Sequence, residues 1–396
     1  AQGGRIMKPD EVYLDNSATT RPYPEVSKEV QRIMLEEYGN PSSLHRRGSA
    51  GERLLQSSRQ MLAEVLDVSD SEIIFTSGGT ESNNMAVLGS ARRYLKRGNH
   101  LITTAIEHPS VLEPFNRLEK EGFEVTYLIP DEQGTVSPEK VAEALTPRTI
   151  LVSIMHINNE IGSIQPIPQV SAILKNCNPE IIFHVDAVQS FTKLPLSPKD
   201  QGIDLLSISA HKFHGPKGVG ALYLREGIFL EPLTRGGGHE KGLRPGTENT
   251  PGIRGMALAA KLSYENRKEK MEKLQSLKER FITSLETEHP WIRLNGPGKE
   301  EGAPHIFNIS FPGLKGEVIL HALEEHGIYV STGSACHANA NSPSHVLQAI
   351  KLDQKSLDGT IRFSLSHLNT REEIEYAITK IIPVVSGLKK FFQVTR

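Results

Sequence analysis

Cysteine is nearly absent from this 396-residue chain, which carries Cys177 and Cys336 and no others. Two thiols cannot build a disulfide framework or a CxxC metal site, and the 15 histidines lack HExxH spacing, so no metal is expected. Long apolar runs are missing as well. None approaches the roughly 20 residues that a membrane span needs, and the opening AQGGRIMKPD has no apolar core of a signal peptide. A soluble, cytoplasmic protein is expected, with Ala1 read as a product of processing or an expression remnant and Met7 as a candidate for the natural start. An excess of charge of either sign is also lacking. Lys plus Arg number 45 against 47 for Asp plus Glu, a formal net charge of -2, which leaves no electrostatic footprint for nucleic acid or an anionic membrane. Internal repeats and low-complexity tracts do not occur.

What the chain does have is alternation. Residues 24 to 38 and 49 to 66 space their apolar side chains like two amphipathic helices, separated by GNPSS, and VYLDNSATT before them reads as a turn-like segment. From residue 72 onward short apolar runs alternate with helical stretches, the signature of βαβ units and a mainly parallel sheet. EIIFT, HLITT, FEVTYLIP, TILVSIMHI, IIFHV, IDLLSIS and GALYL are the expected strands, and Ser137 with Pro138 marks a helix start. A glycine-rich loop, TRGGGHEKGLRPGTENTPG, precedes a helical tract over 253–287. Beyond it HIFNISF, EVILHALEEHGIYV, TIRFSLS and a closing helix suggest a smaller α/β unit with antiparallel character. The expected division is a large domain over 19–264 and a small one built from 1–18 and 265–396.

Five of the apolar runs end in polar residues, and ligands of open α/β sheets bind outside the carboxyl ends of the strands. IDLLSIS stops at Ser209, Ala210, His211 and Lys212, where burial or a cationic neighbour would turn the amine into a nucleophile for a carbonyl compound, pyridoxal phosphate above all. The alternative is a lysine that caps a strand edge. TSGGT, with Gly79 and Thr80, joins a strand to a helix and offers backbone N–H groups to a phosphate, unless it is an ordinary strand-to-helix turn. His108 follows LITTAIE, placed to stack on an aromatic cofactor or to serve structure alone. Asp186 ends IIFHV, where a carboxylate either keeps a pyridinium nitrogen protonated or caps a helix. Asn158 and Asn159 end TILVSIMHI, and their amides suit a phenolic oxygen or a substrate carboxylate. Ser209 and His211 are close enough to Lys212 to share its phosphate.

Cys336 lies in VSTGSACHANANSPSH, whose composition is that of a surface loop, and an accessible thiol there is either a nucleophile or inert. Cys177, in LKNCNPE, reads as incidental. Arg362 interrupts the apolar strand TIRFSLS and needs an acidic partner or a ligand; its planar fork suits an α-carboxylate.

Taken together, YLDNSATT, TSGGTESNN, HINNEIG, HVDAVQS, SAHKFHGPKG, GGGHEKG, RPGT, GSAC and IRFSLS resemble the NifS/IscS group of cysteine desulfurases, in the class V aminotransferase superfamily of fold-type I pyridoxal phosphate enzymes, over essentially the whole chain. The resemblance implies a seven-stranded-type, mainly parallel sheet flanked by helices, with a smaller C-terminal α/β domain. It implies that Lys212 forms the Schiff base with pyridoxal 5'-phosphate and that Cys336 takes up the sulfur of L-cysteine as a persulfide. His108 would stack on the ring, Asp186 would pair with its nitrogen and Gln189 would bond its phenolic oxygen. Thr80, Ser209 and His211 would hold the phosphate within the Gly79 and Ala210 turns, helped by Thr247 from the other subunit of a homodimer. Asn159 and Arg362 would bind the substrate carboxylate. The sulfur would pass to an iron–sulfur scaffold or a tRNA-thiolating enzyme. Selenocysteine lyase and an aminotransferase with an idle Cys336 are the alternatives. The chain departs from the group's usual pattern at His337, beside the thiol, and at Ser366 and His367, where SLSH stands for SLG.

Overall fold

The computed structural model describes residues 11–332 and 343–394 of the chain. Its strands, in chain order, are β1 (Val12–Tyr13), β2 (Ile73–Thr76), β3 (His100–Thr104), β4 (Glu124–Leu128), β5 (Thr149–Met155), β6 (Ile182–Asp186), β7 (Leu205–Ser209), β8 (Gly220–Leu224), β9 (Arg293–Asn295), β10 (Ile306–Ser310), β11 (Ile328–Tyr329) and β12 (Thr360–Ser364). Seven of these form one sheet in the order β2-β8-β7-β6-β5-β3-β4. Strands β4, β3, β5, β6 and β7 run parallel, whereas β8 is antiparallel to both β7 and β2. The reversal has a simple cause. Ten residues separate Ser209 from Gly220, and a crossover to a parallel neighbour takes about a dozen or more. Two reversals cancel, so β2 again points the same way as β7.

Central strands of this sheet are buried along their whole length, as expected when helices cover both faces. Alternate residues of one strand serve two different cores. Phe183 and Val185 of β6 pack into one with Phe75, Ile102, Val152 and Ile208, while Ile182 joins Ile74, Leu101, Leu151 and Leu222 on the other side. Helices α1 (Pro24–Glu36), α2 (Arg46–Leu66), α3 (Gly79–Tyr94), α4 (Pro109–Lys120), α5 (Pro138–Ala144), α6 (Ile167–Cys177) and α7 (Thr250–Tyr264) supply the covering layers. A third apolar core draws on Val12 and Leu14, on the helix α8 (Arg267–Glu288), on the antiparallel trio β9, β10 and β12, and on the closing helix Arg371–Val394. Strand β1 pairs with β11 there. We propose that these cores mark two domains, 19–264 against 1–18 with 265–396, the first piece of the second being described from Glu11 onward.

Three local expectations need correction. The tract 253–287 is two helices, broken at Glu265 and at Asn266, whose φ of 51° is left-handed and which Asn tolerates better than most residues. Helix α2 begins at Arg46, three residues before the expected start, because His45 acts as its N-cap and accepts from the Gly48 N–H. VYLDNSATT is more than a turn, since it contains β1. Among the described residues no helix is long and apolar enough to cross a membrane.

One contact carries the junction between sheet and crevice. A Cβ at Gly220, on β8, would lie 2.6 Å from the Ile208 carbonyl oxygen and 2.7 Å from the Gly78 Cα, at the turn between β2 and α3. Gly220→Ala is therefore expected to lower the urea midpoint by the equivalent of about 1–3 kcal/mol; an unchanged midpoint would show that the turn yields freely.

Candidate active site

The carboxyl ends of β2, β3, β5, β6 and β7 all face one cavity of about 310 Å³. Its lining includes Gly79, Thr80, His108, Asn159, Asp186, Gln189, Ser209, His211, Lys212 and Arg362. Residues scattered over nearly 300 positions thus meet because parallel strands deliver their last side chains to the same edge.

Asp186 closes β6 and is 5% exposed. Its Oδ1 accepts from the Val188 N–H at 2.9 Å and its Oδ2 from the Asn83 side-chain amide at 2.8 Å. Burial nevertheless holds its pKa above the ordinary carboxylate value. Such a group gains most from a cationic N–H brought by a ligand. Asn83 spends its other amide hydrogen on Ser110 Oγ at 2.9 Å, and Ser110 bonds His108 Nδ1 through its hydroxyl at 2.8 Å and its backbone N–H at 3.1 Å. A backbone N–H can only donate, so His108 Nδ1 is an acceptor and the neutral ring carries its proton on Nε2. The same contact makes His108 the N-cap of α4, so its structural and functional readings hold together.

Helix α3 starts at Gly79, two residues earlier than the expected Glu81, and its first turn of N–H groups opens on the cavity beside Ser209 and His211. A Cβ at Gly79 would lie 2.7 Å from Val188 Cγ2, so glycine lets the backbone close in there. His211 is pushed down to about 4 by burial first and by Lys212, Lys217 and Lys193 next, which keeps it neutral near pH 7. Its Nδ1 lies 3.2 Å from Thr19 Oγ1.

Lys212 occupies the short 3-10 turn after β7. Its Nζ donates to the carbonyl oxygens of Ser17 at 2.5 Å and Ala18 at 2.8 Å. Gln189 donates to the same Ser17 carbonyl at 3.0 Å, and Ser17 Oγ donates to the Asn159 carbonyl at 2.8 Å. Arg362 is 2% exposed, pairs with Asp15 at 2.9 Å and donates to the Asn159 carbonyl at 3.2 Å; its buried Nε has no partner. The acidic partner expected for this arginine is thus Asp15, and the orphaned Nε remains for a ligand.

Three expectations fall elsewhere. Asn158 is turned away from the cavity: its amide donates to the Ile106 carbonyl and its Oδ1 accepts from the Glu160 and Ile161 N–H groups, building the turn after β5. Ala210 is buried behind the lining, its N–H bonded to the Val219 carbonyl. Thr247 is exposed and does not line this chain's cavity. Cys336 and His337 lie outside the described residues. Sequence reasoning missed Asp15, Ser17 and Ala18, hidden in a segment read as a turn, and missed Asn83 and Ser110. Ser110, two residues after His108, carried a signal in its N-cap spacing; Asn83 carried none.

A sealed carboxylate, an amine, a helix N-terminus and an arginine around one cavity fit a phosphate-bearing aromatic aldehyde, and the fold is that of fold-type I pyridoxal phosphate enzymes. The aminotransferase class-V family model matches residues 12–377. The chain is 46% identical over 376 residues to the cysteine desulfurase IscS of Clostridium botulinum strain Hall, covering 95% of this chain and 94% of that one. With the cysteine desulfurase IscS of Dictyoglomus turgidum it shares 45% over 379 residues, covering 96% and 95%. Among solved structures, a NifS-like protein superposes with a TM-score of 0.90 at 41% identity, covering 96% of this chain and all of that one. SspA in complex with cysteine gives 0.79 at 35%, covering 91% and 100%. The chain belongs to the class-V aminotransferase family and is a pyridoxal phosphate-dependent enzyme.

Asn83→Ala would leave Asp186 Oδ2 and Ser110 Oγ each short of a donor. A buried group so stripped costs about 1–3 kcal/mol, so apoprotein titrated with pyridoxal phosphate is expected to bind it about tenfold or more weakly; unchanged affinity would remove Asn83 from the cofactor's support.

Proposed function

We propose that this enzyme is a cysteine desulfurase that converts L-cysteine to L-alanine and holds the sulfur as a persulfide on Cys336. The observation that carries the reading is the convergence of Lys212, Asp186, His108, Asn159 and Arg362 on one cavity, in a chain whose relatives bear that name. Those names favour desulfuration over the selenocysteine lyase and transamination alternatives.

When bound, pyridoxal phosphate supplies an aldehyde that captures amines and a ring that accepts the electron pair of the substrate α-carbon. Lys212 would hold the aldehyde in the resting enzyme, Asp186 the ring nitrogen, and the first turn of α3 with Thr80, Ser209 and His211 the phosphate. His108 would cover the ring face with Nε2–H turned to the reacting side, and Gln189 would reach the phenolic oxygen. Arg362 and Asn159 would take the carboxylate of L-cysteine, which orients its α-hydrogen and sulfur. Displaced by the substrate amine, Lys212 Nζ removes the α-proton. The Cys336 thiolate then attacks the substrate sulfur: the S–S bond forms, the C–S bond breaks, and its electron pair stays with the carbon that is protonated to alanine.

Placement of the flanking chain supports the role of Cys336. Ser331 pairs with Arg362, through N···O distances of 3.3 and 2.7 Å, at the cavity wall. On the far side Ser344 donates to Glu160 at 2.5 Å and His345 bonds the Glu107 carbonyl at 2.8 Å. Cys336 is four residues from Thr332, a reach of at most about 14 Å. Further elements of the proposal are a homodimer in which the exposed Thr247 completes the partner's phosphate site, a cytoplasmic location, and delivery of sulfur to iron–sulfur cluster assembly or tRNA thiolation.

Incubation with L-cysteine is expected to add one sulfur to the peptide containing Cys336, read by mass spectrometry. Cys336→Ala should lose alanine release while keeping the yellow cofactor colour, and Lys212→Ala should lose both release and reducible attachment of the cofactor. Alanine production by Cys336→Ala would end the proposal.

A further inference from the structure

A second, much smaller cavity, of about 20 Å³, also touches Lys212. Its lining carries Lys193, His214, Lys270, His305, Ser366 and His367 and, among the described residues, no carboxylate. Both departures in the SLSH segment, Ser366 and His367, therefore sit in one wall of one void. The space exceeds the ~10–15 Å³ that a single water needs.

Hydrogen bonding has already committed two of the three imidazoles. His214 Nδ1 donates to the Arg21 carbonyl at 2.8 Å, so its Nε2 accepts from Ser366 Oγ at 3.1 Å. His367 Nε2 lies 2.9 Å from Tyr23 Oη; Tyr23 in turn meets Ser263 Oγ at 3.2 Å, and Ser263 donates to the Phe213 carbonyl at 2.9 Å. Followed back along that chain, Ser263 must accept from Tyr23 and Tyr23 from His367. His305 is different. It is 2% exposed and neither buried ring nitrogen makes a hydrogen bond of normal geometry, although the Gln189 backbone is near enough to favour its protonated form. Lys193 spends one N–H on the Lys212 carbonyl at 3.0 Å. Lys270 already donates to the Leu262 carbonyl at 2.7 Å, and every ionisable group that the described residues place on this lining is a base.

We propose that this cavity is a binding site for one small monovalent anion of halide size, held by the amine of Lys193 and a ring N–H of His305, and that the anion raises the proton affinity of Lys212 from beneath. A water molecule would satisfy His305 but would leave the bases uncompensated. Burial first, then neighbouring lysines and, for His367, the His214 ring ahead of them, push Lys193 down to about 7, His214 to about 4, His367 to about 3 and His305 well below the usual imidazole value. Each is being driven toward its neutral form, as a basic pocket without a counter-charge requires. Lys270, from α8, is lowered too, with Glu265 pulling the other way from beyond it. Lys273 holds the His367 carbonyl from the solvent side. Because the charged form of Lys193 is the one that binds, affinity should be level below pH 7 and fall about tenfold per unit above it.

Crystals of the holoenzyme soaked in bromide are expected to show one anomalous peak in contact with Lys193 and His305. In solution, the pH titration of the cofactor's near-visible absorbance should move up by about half a unit or more when gluconate is replaced by bromide, and Lys193→Met should abolish that movement. No anomalous peak, a peak without the solution shift (binding at crystal concentration only), or a shift that survives in Lys193→Met would each overturn the proposal. The wild-type crystal decides even if the variant does not fold. None of these readings requires turnover, so their failure is distinct from failure of the desulfurase reading.

Discussion

Strand polarity is the constraint from which the rest of this molecule follows. A parallel strand can deliver a side chain to only one edge of its sheet, and β2, β3, β5, β6 and β7 share that edge. The reversed β8 does not spoil the arrangement. The turn that reverses the chain sits at the carboxyl end of β7, and Lys212 is carried there on a single 3-10 turn. Because that turn is covered on both sides, Lys212 touches two cavities, one large and mixed in polarity, the other small and basic.

Low dielectric is the second organising force. Asp186 and Glu107 are pushed up by burial, Glu107 to about 8 with the charge of Asp186 adding to it, while the bases behind Lys212 are pushed down. Groups strained in this way do not stabilise the empty fold. They are positioned to recover electrostatic energy when a ligand brings the complementary charge: a protonated ring nitrogen at Asp186, a phosphate at the head of α3 and, on our proposal, an anion beside Lys193. Asn83 and Ser110 show how this is held in place, since one amide supports both the carboxylate and the histidine that would cover the ring.

Much of this was legible before any coordinates. Strand runs with polar endings marked Asp186, His108, Asn159 and Lys212 because a charged or polar group directly after an apolar run is costly without a purpose. Ser137 and Pro138 marked a helix start, and Ser137 does accept from the Lys140 N–H. Asn158 was indistinguishable from Asn159, since neighbouring residues differ only in which way the chain turns. His45 as an N-cap and the left-handed Asn266 escaped for a like reason: both depend on local dihedrals that composition does not state.

What the sequence by itself determined is therefore the alternation of strand and helix, the parallel character of the sheet and the identity of the groups at the strand ends. Those depend on hydrophobic periodicity and on short-range chemistry, and both are written along the chain. Tertiary structure alone decided the pairing of Asp15 with Arg362, the relay from Asp186 through Asn83 and Ser110 to His108, and the basic void that joins Lys193, His305 and His367. Apart from Ser110 and His108, two positions apart, these partners are between 27 and 347 positions apart, and no local pattern encodes which distant segments a folded chain brings within hydrogen-bond distance.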